Sequence, residues 1–114
     1  ALEEFVRWLE NAPLLNAPRR RPVKLIATGR LEKYRAVTES WLAKRGIKFE
    51  KLVMSQHATA EARRAAADVA AMKAAAYSAS GCGLFIESDP RQAKAIHEAS
   101  GKPCVHLASG AVWQ

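Results

Sequence analysis

The chain has 114 residues, of which 49% are hydrophobic, so it is long enough for one hydrophobic core and too short for two. Its 18 basic and 11 acidic residues give a net charge of +7, which favours anionic partners. We expect a small phosphorylated molecule or another anion rather than nucleic acid, because the few aromatic residues do not alternate with the arginines. We expect no membrane partner, because no apolar run approaches about 20 residues.

The first residues and the cysteines favour a cytoplasmic protein. Residues 1–4 begin with two acids after Ala1-Leu2 and lack the basic region and apolar block of a signal peptide. Only two cysteines occur, Cys82 and Cys104, each at the start of a predicted strand. We interpret them as buried free thiols, with a disulfide as the alternative if their strands are neighbours.

The first half of the chain predicts two helices and two strands. Residues 2–11 carry apolar side chains at i, i+3, i+4 and i+7, the pattern of an amphipathic helix, and a proline-bounded connector follows up to residue 21. Residues 23–28 form an apolar run and predict the first strand. A helical stripe from Leu31 follows almost at once and ends at Gly46, and residues 47–54 predict the second strand.

The second half repeats this alternation. Residues 59–78 are about half alanine and predict one continuous helix, and residues 84–86 predict a buried third strand. Asp89-Pro90 is a typical helix start, with Gln92 at the capping-box position. Gly101 ends that helix, and residues 105–107 predict a fourth strand. The tail at Val112-Trp113 either packs back or frays. Strands and helices alternate throughout, so we expect one doubly wound α/β domain over residues 1–114.

Thr28, Gly29 and Arg30 stand where open α/β sheets bind their ligands, at the carboxyl end of a strand. A hydroxyl group and backbone N–H groups that enter a helix N-terminus would hold an anion such as phosphate. The alternative is that Thr28 only caps the helix and Gly29 permits the turn.

Lys73 is the only lysine between Lys51 and Lys94, and its ammonium must emerge from a mostly apolar helix. It is either a functional cation or an ordinary surface lysine. Glu87 and Asp89 follow the third strand, and two carboxylates there suit Mg²⁺. Asp89 is also explained as a helix cap, so Glu87 is the better candidate ligand.

A hydroxyl residue, a lysine and an acidic strand end, in this order, resemble the second, third and fourth motifs of the haloacid dehalogenase-like (HAD) phosphatases. Residues 26–35, 38–42 and 85–93 extend this resemblance to a bacterial HAD-like subgroup over nearly the whole chain. The resemblance implies that Thr28, with Gly29 and Arg30, binds the phosphoryl group. It also implies that Lys73 is the catalytic cation and that Glu87 and Asp89 hold magnesium.

The first HAD motif, an Asp-x-Asp nucleophile on a preceding strand, has no counterpart among the two aspartates, Asp68 and Asp89. We therefore expect a catalytically incomplete HAD-like domain that keeps a crevice for phosphate and magnesium. One alternative is a magnesium-dependent phosphoric monoester hydrolase whose nucleophile segment is missing from this chain. Another is a non-catalytic interaction or dimerisation module.

The missing motif also affects the sheet, because in this family its strand lies between those that end in Thr28 and Glu87. These two strands must then pair directly, or a strand from a partner must fill the gap. We expect direct pairing, which gives a small three-layer Rossmann-like domain with a four-stranded parallel sheet of order 2-1-3-4. We also expect a homodimer, because helices suited to five strands leave apolar surface exposed.

Overall fold

The computed structural model describes residues 2–11 and 23–114 and shows a mixed α/β fold with two small sheets. The helices are α1 (Leu2–Asn11), α2 (Arg35–Lys44), α3 (Ala60–Ala66), α4 (Val69–Ser80) and α5 (Pro90–Ser100). The strands are β1 (Val23–Leu31), β2 (Phe49–Ser55), β3 (Phe85–Glu87), β4 (Cys104–His106) and β5 (Val112–Trp113). The predicted connector up to residue 21 lies outside the described residues. None of the helices described is long and apolar enough to cross a membrane.

The first sheet is parallel, and the second is mixed. In the first, β1 pairs with β2 in parallel, and Thr28 lies opposite Met54 before the register becomes irregular. In the second, β3 pairs with β4 in parallel, with Glu87 opposite His106. The strand β5 then pairs with β4 in the antiparallel direction. The C-terminal tail therefore packs back rather than fraying.

The expected four-stranded sheet of order 2-1-3-4 is not formed by the described residues, because β1 and β3 are not hydrogen-bonded to each other. A cavity of about 750 Å³ lies between them instead. We call it the intersheet cleft. It is lined by Val23, Leu25, Ile26, Ala27, Thr28, Trp41, Leu42, Ile47, Lys73, Cys82, Leu84, Phe85, Ile86, Glu87, Ser88 and Leu107. Direct pairing would require β1 and β3 to close this cleft to one interstrand spacing of about 4.8 Å.

The alanine-rich segment is two helices rather than the predicted single one. Ala67, between α3 and α4, has a φ of 50°, a left-handed conformation that a continuous helix does not contain. Thr59 caps α3, and the next residue after the break, Asp68, pairs with Nε2 of His57 at 2.9 Å. No residue of α3 is buried, whereas α4 buries Tyr77 among others. Packing of α4 therefore overrides a composition that favours one long helix.

Each sheet has a hydrophobic cluster of its own. One cluster joins α4, α5 and β4 through Tyr77, Ile96 and Cys104, which are fully buried. The other joins α2 and β2 through Leu42, Leu52 and Met54. Helix α4 contacts β1 of the first sheet and also packs on α5, which belongs to the cluster of the second sheet, so it connects the two. Both cysteines are free thiols, as predicted, but only Cys104 is buried, and Cys82 is partly exposed.

Candidate functional site

The centre of the candidate site is a buried ion pair between Lys73 on α4 and Glu87 at the end of β3. Lys73 Nζ lies 2.6 Å from Glu87 Oε1, and the two side chains are only 10% and 7% exposed. A buried charge is tolerated when it has an opposite charge and hydrogen bonds around it, and both are present here. The alternative reading of Lys73 as a surface lysine is therefore wrong.

Gln92 completes the surroundings of the ammonium group, and sequence reasoning assigned it only to a helix-capping role. Lys73 Nζ donates to Gln92 Oε1 at 2.7 Å. In a capping box the Gln92 side chain would instead bind the backbone N–H of Asp89, but Glu87 Oε2 already accepts from that N–H at 3.0 Å. Gln92 is thereby released to bind Lys73. The sequence signal for this exchange is an acidic residue, Glu87, two positions before the cap residue Asp89.

Asp89 is a helix cap. Its Oδ1 accepts from the backbone N–H groups of Arg91 at 2.8 Å and Gln92 at 3.3 Å. Glu87, the second expected magnesium ligand, directs one oxygen to the Lys73 ammonium and the other to a backbone N–H. Within the described ranges there is no group of three or more His, Cys, Asp or Glu residues that could hold a metal ion. Both oxygens of Glu87 and Oδ1 of Asp89 accept hydrogen bonds within the protein, and magnesium binding by these two carboxylates stays a prediction.

Thr28 lines the same cleft as Lys73 and Glu87, as the sequence predicted. Its Oγ1 accepts from the backbone N–H of Arg30 at 3.2 Å, which leaves the hydroxyl hydrogen to donate to a ligand. The expected helix N-terminus directly after Thr28 is wrong, because β1 continues to Leu31, a short 3₁₀ helix follows over Glu32–Tyr34, and α2 begins at Arg35. An anion here would contact the hydroxyl without the help of a helix end.

Gly29 permits a close approach rather than a turn. Its φ is not positive, and a Cβ at this position would lie 3.3 Å from Cγ1 of Val69 on α4. The carbonyl oxygen of Gly29 accepts from Nη1 of Arg63 at 2.6 Å. Sequence reasoning missed Arg63, because it is 34 residues away and no local pattern connects it to β1. The small size of Gly29 lets α4 lie against the strand that carries Thr28.

Arg30 is directed at α2 and is not among the residues that line the cleft. Its Nη1 donates to Thr38 Oγ1 at 3.3 Å, and its guanidinium lies 5.2 Å from the centroid of the Trp41 ring. Burial lowers the pKa of the Arg30 guanidinium. The structure therefore brings Thr28, Lys73 and Glu87 to one cleft and places Arg30 and Asp89 outside it.

Comparison of the chain with protein-family models, with curated proteins and with solved structures found no match. The resemblance to HAD phosphatases stays a prediction from the sequence motifs.

Proposed function

We propose that the chain is a HAD-like domain that binds a phosphorylated small molecule, or a similar anion, at the Thr28 and Lys73 end of the intersheet cleft. The observation that carries this proposal is a buried ammonium group, Lys73 Nζ, on the same cleft as the Thr28 hydroxyl. Fixed donors in a partly enclosed site stabilise negative charge better than mobile surface groups do.

The donor count of Lys73 supports this role. An ammonium group has three N–H donors, and two of them are directed at Glu87 Oε1 and Gln92 Oε1. The third donor and the Thr28 hydroxyl provide two contacts for phosphate oxygens. The negative charge of Glu87 offsets much of the attraction of Lys73 for an anion. We therefore expect weak binding, with a Kd of about 1 mM, which corresponds to about 4 kcal/mol.

The proposed domain binds phosphate without transferring it. In the HAD mechanism the group that attacks phosphorus is an aspartate carboxylate with a free oxygen facing the phosphoryl group. Glu87 is held in the ion pair, Asp89 caps α5, and Asp68 pairs with His57. None of these three carboxylates is placed for attack.

A second candidate is a phosphatase whose nucleophile lies on a strand absent from this chain, and the intersheet cleft favours it. A strand between β1 and β3 would end beside Thr28 and Glu87, which line the cleft. The chain's own strands would then keep the order 2-1-3-4, with the additional strand at its centre. Magnesium binding and a homodimer belong to these proposals as predictions of the sequence.

Thermal unfolding with inorganic phosphate at constant ionic strength tests the first proposal. Phosphate at ten times its Kd should stabilise the fold by about 1.4 kcal/mol and raise the Tm by about 5 °C. Thr28→Val should abolish this shift, because it removes the hydroxyl and keeps the branched side chain. The matched control is Thr59→Val at the cap of α3, which is not among the residues that line the cleft and should retain the shift.

Three results would contradict the proposal. The first is an equal Tm shift in the Thr28→Val variant or with chloride. The second is the absence of any Tm shift with phosphate, which would favour the interaction-module alternative. The third is hydrolysis of an aryl phosphate by the chain with magnesium, lost in Lys73→Ala, which would favour the phosphatase candidate.

A further inference from the structure

The polar groups that define the candidate site lie together at one part of the intersheet cleft. Thr28 is near the carboxyl end of β1, and Glu87 is the last residue of β3. Helix α4 connects the two, because Gly29 lies against Val69 and, one helical turn later, Lys73 binds Glu87 at 2.6 Å. The lining residues that precede Thr28 and Glu87 on the two strands are all aliphatic or aromatic. A ligand held by the polar groups therefore extends between apolar walls.

The apolar walls account for most of the large hydrophobic side chains that the described part of the chain exposes. Four such side chains are exposed, and three of them line the cleft: Leu84, Ile86 and Leu107, at 51%, 58% and 40%. Exposed apolar surface that is concentrated in one cavity is typical of a binding site, whereas single scattered residues are not. An apolar group that covers these side chains would remove their surface from water.

The size of the cleft limits the ligand to a small molecule. Its volume of about 750 Å³ lies in the range of sites for small organic ligands. At roughly 30 Å³ for each non-hydrogen atom, the share of one water molecule in the liquid, the cleft holds about 25 such atoms at most. A phosphate group with a hydrocarbon body of up to about 20 carbon atoms is within this limit.

We propose that the phosphorylated ligand of the cleft is an aliphatic monophosphate, which binds from solution as a single molecule. Its phosphate would contact Thr28 and Lys73, and its hydrocarbon chain would cover Leu84 and Ile86. The inference rests on the phosphate binding proposed above and adds the chemical class of the rest of the ligand. A sugar phosphate has a similar size, but its hydroxyl groups would lose their hydrogen bonds to water against apolar side chains.

The hydrocarbon chain, rather than the phosphate, supplies most of the affinity. Glu87 offsets much of the attraction of Lys73 for an anion, so the phosphate alone binds weakly. Full burial of one methylene group tightens binding by about fourfold. The walls of this cleft are partly open to water, so we expect a gain of about twofold for each methylene group.

Calorimetric titration with butyl, hexyl and octyl phosphate tests the inference, at constant ionic strength and below the concentrations at which these compounds form micelles. Octyl phosphate should bind at least about tenfold more tightly than butyl phosphate, because it buries four more methylene groups. Glucose 6-phosphate is the polar control and should bind no more tightly than inorganic phosphate. Nuclear Overhauser effects between the octyl protons and the methyl groups of Ile26 and Ile86 should locate the chain in the cleft.

Variants of exposed side chains separate the hydrocarbon contact from the phosphate contact. Ile86→Asn should weaken octyl phosphate binding by about fivefold or more and leave the affinity for inorganic phosphate unchanged. Leu84→Asn makes the same change at a second exposed wall residue and should have the same effect. Val112→Asn is the matched control, since Val112 is 48% exposed and is not among the residues that line the cleft. It should change neither affinity.

The two proposals fail in different ways. If butyl and octyl phosphate bind equally, or if Ile86→Asn and Val112→Asn have equal effects, the hydrocarbon chain is wrong. Phosphate binding then stands, provided that inorganic phosphate still raises the Tm and Thr28→Val abolishes the rise. If 1-octanol binds as tightly as octyl phosphate and Thr28→Val changes neither affinity, phosphate binding is wrong and the inference with it.

A second copy of the chain is the other occupant that the experiments recognise. In that case sedimentation would show a dimer that Ile86→Asn dissociates and that octyl phosphate leaves intact. This result would assign the apolar walls to a dimer interface and overturn the inference.

Discussion

Replacing Lys73 with methionine would remove the ammonium group and leave the Glu87 carboxylate buried opposite an apolar side chain. The two side chains are 10% and 7% exposed, so water cannot readily take the place of the lost partner. Removing one member of a buried ion pair destabilises a protein by about 3–5 kcal/mol. Glu87 keeps a hydrogen bond from the Asp89 N–H, so we expect a loss of stability near the lower end of this range.

We expect Lys73→Met to lower the free energy of unfolding by about 3 kcal/mol and the Tm by about 12 °C. Urea unfolding followed by circular dichroism measures the first quantity, and a thermal scan the second. The double variant Lys73→Met/Glu87→Gln should be more stable than the single Lys73→Met variant. The reason is that a neutral amide replaces the uncompensated charge and still accepts from the Asp89 N–H.

Lys94→Met is the matched control, because it makes the same chemical change at an exposed pair. Lys94 and Glu98 are 58% and 63% exposed with 3.8 Å between Nζ and Oε1, so the loss should be below about 0.5 kcal/mol. The reasoning is refuted if Lys73→Met costs no more than Lys94→Met. It is also refuted if the stability losses of Lys73→Met and Glu87→Gln, each measured alone, simply add in the double variant.

Two further predictions concern Cys104 and Asp89. Burial raises the pKa of the Cys104 thiol, so the unfolded state loses this proton first and the free energy of unfolding should fall as pH rises above about 9. Urea unfolding at about pH 8 and about pH 10 should show a smaller fall in Cys104→Ala than in the unmodified chain, and an equal fall would contradict this. Asp89→Ala should lose about 1 kcal/mol with its cap, and Asp89→Asn much less. A magnesium-dependent rise in Tm that Asp89→Asn abolishes would instead show that Asp89 is a metal ligand.

Short-range sequence signals predicted the bounds of helices well where the contacts that set those bounds are local. The predicted helix over 2–11 has the bounds of α1, and the Asp89 cap and the Gly101 stop delimit α5 as expected. Caps and helical periodicity act over a few residues, so they can be recognised in a sequence. That Thr28, Lys73 and Glu87 line one cleft was expected from the resemblance to the HAD motifs and not from a short-range signal.

The remaining errors come from contacts between distant segments. The break at Ala67 occurs within an alanine-rich segment that composition predicts as one helix, and α4 packs against the core while α3 does not. The release of Gln92 from its capping role depends on an oxygen of Glu87. The approach of Arg63 to Gly29 joins residues that no short pattern relates.

Local sequence therefore accounts for most of the helices and strands, while the chemical roles of Thr28, Lys73 and Glu87 stay predictions. Whether β1 and β3 pair, and whether Lys73 is buried or exposed, depended on long-range packing. The physical reason is that strand pairing and burial are set by groups brought together from distant parts of the chain. Their free energies depend on neighbours that a short stretch of sequence does not specify.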